Sequence, residues 1–105
     1  MKIKNTLKQL NESFISKIKV ENLRSSSGRE VPNQFIIKTP EGDYFQSYDS
    51  IIAFIDKDGN VTLDQKFWNF SNTTTKYRNI FLDEDTKTTK KKIESGEYEL
   101  DDLNS

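Results

Sequence analysis

Apolar and polar positions alternate most cleanly between Asn33 and Asp64. Phe35 and Ile37 sit two apart in the β-rich stretch Gln34–Thr39, so they share one side of a strand. Pro40-Glu41-Gly42 then supplies a turn, because proline presets φ and glycine accepts a positive φ. Tyr44-Phe45-Gln46-Ser47-Tyr48 returns as the second strand of a hairpin, with Tyr44 and Tyr48 on one face and Phe45 on the other. Ile51–Ile55 is an unbroken apolar run, which reads as a central strand covered on both faces. Ile51, Ala53 and Ile55 are expected on one side of it and Ile52 and Phe54 on the other. Asp56-Lys57-Asp58-Gly59-Asn60 forms another turn, and Val61-Thr62-Leu63 alternates after it. The pattern predicts a four-stranded antiparallel meander.

Beyond Asp64 the period lengthens. Tyr77, Ile80 and Phe81 recur at helical spacing, and Ser71, Asn72 and Thr73 are candidate N-caps, since their side-chain oxygens accept the first free backbone N–H groups. Ile80 is expected in the core, where an Ile80→Asp carboxylate would unfold the domain. A weaker helix is predicted from Thr86 to Ser95, ended by Gly96; its single apolar residue, Ile93, gives it little to bury. At the other end, Ile3, Leu7, Leu10 and Phe14 are spaced 4, 3 and 4 apart, which predicts a short N-terminal helix. Ile18, Val20 and Asn22 alternate instead, so a strand is expected from about Phe14 to Leu23. The fold class is α+β: a small antiparallel sheet of four to five strands, one or two C-terminal helices and a short N-terminal one. One helix covers one sheet face only. The other needs the N-terminal segment or a second copy of the chain, which favours a homodimer built on that face or on a sheet edge.

Composition sharpens this picture. At 105 residues the chain is one domain, and its 27 Leu, Ile, Val and Phe residues build only a small core. The net charge of -1 conceals an asymmetry. Residues 1–82 carry 12 basic and 9 acidic groups, whereas residues 83–105 carry 4 and 8. The reading is a single domain over 1–82, with a recognisable centre at 31–82, followed by an acidic appendage over 83–105.

Chemistry is narrowed by what is missing. Without cysteine or histidine there are no disulfides, no thiolate or imidazole metal ligands, and no triad that needs a histidine base. Asp56–Asn60 looks like the start of a calcium loop, but its glycine is fourth rather than sixth and strands flank it, so a hairpin turn is expected. The four glycines are too far apart for a phosphate-binding loop, and the turn carboxylates face no evident cleft. No enzyme, catalytic residue, metal or cofactor is predicted. No run of roughly 18 apolar residues spans a membrane and no signal-peptide apolar region opens the chain, so the expected location is the cytoplasm. Lys90-Lys91-Lys92 sits among acidic neighbours and reads as a solvated helix face. The remaining candidates are binding residues: Tyr44, Tyr48 and Trp68 as aromatic contacts, and Lys76 and Arg78 as cations near a helix N-terminus.

Four stretches carry a likeness: NQF at 33–35, YFQSYDSIIA at 44–53, GNVTLD at 59–64 and WNFSNTTTKYRN at 68–79. Across Val31–Leu82 the chain resembles a small domain of bacteriophage and mobile-element proteins. The resemblance implies a phage-type origin, with the host-cell cytoplasm as location, and brings no catalytic or cofactor-binding residues with it. Small phage proteins of this kind often act on host machinery, so the expected function is a non-enzymatic accessory protein that binds a host or phage protein, for example as an inhibitor or modulator of host machinery or defence. The alternative is a nucleic-acid-binding accessory protein, for which Lys76, Arg78, Trp68 and the Tyr44/Tyr48 face supply the contacts.

Overall fold

The computed structural model describes residues 17–105. In chain order these form β1 (Lys19–Arg24), β2 (Glu30–Thr39), β3 (Gly42–Ser47), β4 (Ser50–Asp56) and β5 (Val61–Asp64). Helices α1 (Asn72–Leu82) and α2 (Thr86–Glu94) follow, and β6 (Glu99–Asp101) closes the sequence. The six strands make one sheet in the order β1-β2-β3-β4-β5-β6. The first five pair antiparallel with their neighbours, and β6 returns parallel to β5. The α+β meander expected from the turn chemistry is present, with one strand more than the sequence predicts. The short N-terminal helix expected over Ile3–Phe14 lies outside the described residues.

Cross-strand partners share a face, so the register sorts the side chains. Ile36, Phe45, Ala53 and Leu63 are aligned across β2–β5 on the face that carries the helices. There they pack with Leu23, Val61 and Tyr98, and with Tyr77, Phe81, Leu82 and Ile93 from α1 and α2. Val20, Ile37, Tyr44 and Phe54 align across β1–β4 on the opposite face. Strict alternation along β4 fails at one point. Between the Phe45↔Ala53 and Gln46↔Ile51 pairs, Ile52 is an extra residue, a bulge that bends the strand. Both Ile52 and Ala53 therefore enter the core, while Ile51 stays on the far face with Phe54.

Helix α1 begins at Ser71, whose hydroxyl oxygen accepts the Thr74 N–H at 3.1 Å. It ends at Asp83 in the left-handed region (φ 55°). Its phase differs from the expected one. The inward stripe runs Thr74–Arg78–Phe81, and Ile80 is 36% exposed at the helix edge. An Ile80→Asp carboxylate would consequently reach water rather than the core.

The charge change near Leu82 marks no structural boundary. Asp85 caps α2 by accepting the Thr88 N–H at 2.8 Å. Polar bonds supply what apolar burial cannot: Glu84 accepts from Thr89 Oγ1, from Lys92 Nζ at 3.0 Å and from the Tyr98 hydroxyl at 2.6 Å. Burial alone would raise the Glu84 carboxyl, but these donors outweigh it and hold the group below the usual carboxylate range. The end of the chain is pinned as firmly. Asn104 copies a strand partner for Ile51, accepting its N–H at 2.7 Å and donating to its C=O at 2.9 Å. Buried Asp64 accepts from Leu103 N–H and Asn104 Nδ2, each at 2.9 Å. At the β4–β5 turn, Asp56 accepts the Asn60 and Asp58 N–H groups at 2.8 and 2.9 Å, the hairpin geometry expected there. Those bonds, Asn60 first, hold its carboxyl below the ordinary value.

Candidate functional site

The segment between β5 and α1 is organised by Asp64. One carboxylate oxygen faces the tail; the other accepts the Lys66 and Phe67 N–H groups at 3.0 and 2.8 Å, and the Trp68 N–H bonds the Asp64 carbonyl at 3.0 Å. This tight turn throws Phe67 and Phe70 together edge to face, with centroids 5.4 Å apart. Opposite them stands the β3–β4 turn. Ser47 pairs with Ser50, leaving a two-residue loop of Tyr48 and Asp49. The Tyr48 backbone has φ 55°, a conformation that such loops normally give to glycine, asparagine or aspartate. It is held there by its N–H bond to Asn33 O at 2.7 Å and by Gln46 Nε2, which donates to its carbonyl at 2.6 Å.

Together these elements enclose a cavity of about 180 Å³. Ile52 and Phe67 supply apolar walls, Ser47 and Thr74 (hydroxyls 3.2 Å apart) a buried polar one, and Tyr48, Asp49, Ser50, Phe70 and Ser71 complete the lining. Tyr48 is 57% and Phe70 67% exposed, the two most exposed aromatic rings among the described residues. The volume lies below the roughly 300 Å³ at which small-molecule sites begin, so the cavity suits a single inserted side chain rather than a cofactor. A larger groove of about 430 Å³ lies between the Ile80–Phe81 edge of α1 and strands β1–β2. Of the charges that line it, Lys38 pairs with Glu21 at 3.2 Å, and Arg24 pairs with Glu30 beyond the lining at 3.6 Å.

The five binding residues expected from the sequence fall in separate places. Tyr48 is on the rim of the cavity. Tyr44 lies on the opposite sheet face, stacked on Phe54 at 4.3 Å; burial, and then the charge of Glu41, push its hydroxyl above the ordinary tyrosine value. Lys76 is exposed on α1, its ammonium 5.3 Å from the Tyr77 ring. Arg78 is fully buried and is thereby removed from any solvent-facing surface. Its guanidinium donates to Trp68 O, Asn79 Oδ1 and Thr86 Oγ1 and lies 5.2 Å from the half-buried Trp68 ring. Burial pulls its pKa down and the Glu84 charge opposes the shift. It ties the Phe67–Phe70 turn to both helices and so positions the aromatic rim. Phe70 itself carries no signal in the sequence that separates it from core phenylalanines.

Among the described residues no group of three or more acidic side chains converges as a metal site, and no helix is long and apolar enough to cross a membrane. No curated protein and no solved structure matches the chain. A family model does match, over residues 1–97, a span that crosses Leu82 and extends well beyond the Val31–Leu82 likeness. The chain belongs to DUF8033, a family of unknown function.

Proposed function

We propose that this chain is a non-enzymatic binding module that docks a protein partner at the aromatic rim beside the start of α1. The observation that supports this reading is Tyr48. A bulky residue at positive φ costs about 1–3 kcal/mol, and such strain is typically kept where a side chain is needed in a set position. Here the strain aims a largely exposed ring at a cavity faced by a second exposed ring, Phe70. Exposed aromatics beside a concave site are the usual anchors of protein interfaces. The likeness of Val31–Leu82 to phage and mobile-element domains supports an accessory protein that acts on host machinery in the bacterial cytoplasm. The nucleic-acid alternative loses its common surface, because Arg78 is internal and Tyr44 and Tyr48 lie apart.

The test is a comparative capture from bacterial lysate at modest salt, using the full chain and a Tyr48→Asn/Phe70→Ser variant. Asparagine accepts the turn conformation, so the variant keeps the fold. The reading requires a protein retained by the parent chain and lost with the variant. Equal retention by both, or retention of nucleic acid alone, overturns it.

A further inference from the structure

The cavity at the Tyr48–Phe70 rim offers acceptors and ring faces but no cation. Asp49 is the only charged residue that lines it, and its carboxylate makes no hydrogen bond or ion pair among the described residues. The buried hydroxyls add to this. Ser47 Oγ and Thr74 Oγ1 share one bond at 3.2 Å, which uses one of their four lone pairs. Elsewhere the chain's own cations lie over rings: Lys66 over Phe67 and Arg78 over Trp68, each at 5.2 Å, and Lys76 over Tyr77 at 5.3 Å. Tyr48 and Phe70, the most exposed rings, carry no cation among the described residues.

We infer that, given docking at this rim as proposed above, the residue seated in the cavity is an arginine of the partner protein. A guanidinium answers each feature. Its charge meets Asp49, its fork of N–H donors meets the carboxylate and the hydroxyls, and its plane stacks on an aromatic ring as an ammonium does not. An apolar side chain would cover the hydroxyls and the carboxylate and satisfy neither. An acidic one would gain from the start of α1, but Ser71 already accepts the Thr74 N–H there and Asp49 repels a second carboxylate. The chain's own lysines do not compete, since neither Lys66 nor Lys76 lines the cavity; Lys66 faces a separate one beside Asp64 and Asp102.

The probes are blocked tripeptides, acetyl-Gly-Arg-Gly-amide and its leucine- and glutamate-centred counterparts, titrated to millimolar concentration into the full ¹⁵N-labelled chain. The arginine peptide should give saturable shifts at the amides of Tyr48–Ser50 and Phe70–Thr74, with an affinity several-fold above that of either counterpart. Asparagine tolerates tight turns, so Asp49→Asn keeps the loop; it should weaken the arginine peptide about 2–5-fold and leave the leucine peptide unchanged. Phe70→Leu, which keeps apolar bulk and loses the ring face, should weaken it by a similar factor. Equal or tighter binding of the leucine or glutamate peptide overturns arginine as the occupant and leaves docking at the rim standing. An arginine peptide that moves no rim amide, or that is indifferent to Asp49→Asn, overturns it as well. Failure of docking itself reads out separately, as equal lysate capture by the parent chain and the Tyr48→Asn/Phe70→Ser variant.

Discussion

Asp64 is the residue whose loss should be felt most widely, because a single buried carboxylate organises both the rim of the cavity and the end of the chain. It accepts the N–H groups of Lys66, Phe67 and Leu103 and the amide of Asn104. Asp64→Ala strands these donors. Each buried N–H left unsatisfied costs about 1–3 kcal/mol, and water can reach the more exposed ones. Taking the Phe67 and Leu103 groups as the inner pair, the expected loss is about 3–4 kcal/mol. A domain of this size holds on the order of 5–15 kcal/mol in total, so the melting temperature should fall by roughly 15–25 °C. Asn104→Ala should cost less, about 1–2 kcal/mol, because Asn104 is itself exposed and water can replace part of its bonding. The two changes share the Asp64–Asn104 bond, so the double variant should lose less than the sum by at least about 0.5 kcal/mol. Urea unfolding followed by Trp68 fluorescence reads all three variants. A loss under about 1 kcal/mol for Asp64→Ala, or strict additivity, would refute the clamp.

Acid should weaken the fold through Glu84. Its folded pKa is depressed, so its contribution is complete above the unfolded value of about 4.3 and disappears as pH falls through the lower folded value. Urea midpoints taken from pH 6 to pH 2 should show this decline, and Glu84→Gln should flatten it. Lys92 works in the opposite sense: its raised pKa keeps the Glu84 pair intact until strongly alkaline pH, so no loss is expected between pH 7 and 10 in the same assay. Ile80→Asp should cost about 1 kcal/mol or less, whereas Phe45→Ala, at the centre of the core, should cost about 3–5 kcal/mol; equal losses in denaturant titrations would show the helix phase to be misassigned. Gly42→Ala should destabilise strongly, since an added Cβ would meet Ile55 O at 2.2 Å and φ is +146°; a thermal melt within 2–3 °C of the parent, about 0.5 kcal/mol, would argue against that close approach.

Local chemistry made the meander readable. Gly42 and Gly59 do adopt positive φ at the two turns where the sequence demands it, and alternation on either side agrees with them. What lay beyond the sequence was built from contacts without a local pattern. Asn104 reaches Ile51 across 53 positions and Leu103 reaches Asp64 across 39, so an acidic tail that looks like an appendage becomes part of the sheet. The bulge at Ile52 inverts half of an otherwise regular alternation, and nothing in an apolar run announces it. Arg78 accounts for the difference between the expected and the observed helix phase. A periodicity argument places cations outside, yet Trp68 O, Asn79, Thr86 and the Trp68 ring together make an interior site for a guanidinium. The same limit applied to the site. Tyr48 was evident as an aromatic candidate, but its strained turn and the exposure of Phe70 are visible only once β3, β4 and α1 converge.

A partner docked at the Tyr48–Phe70 rim changes the surroundings of a defined set of backbone amides. Amide chemical shifts of the full ¹⁵N-labelled chain, followed while the captured protein is added, map that surface residue by residue. Shifts concentrated at Tyr48–Ser50 and Phe67–Thr74, and absent from Val20, Ile37 and Phe54, are the predicted result. Shifts centred on Lys87–Lys91 or on the Val20–Phe54 row, with the rim unmoved, would contradict it.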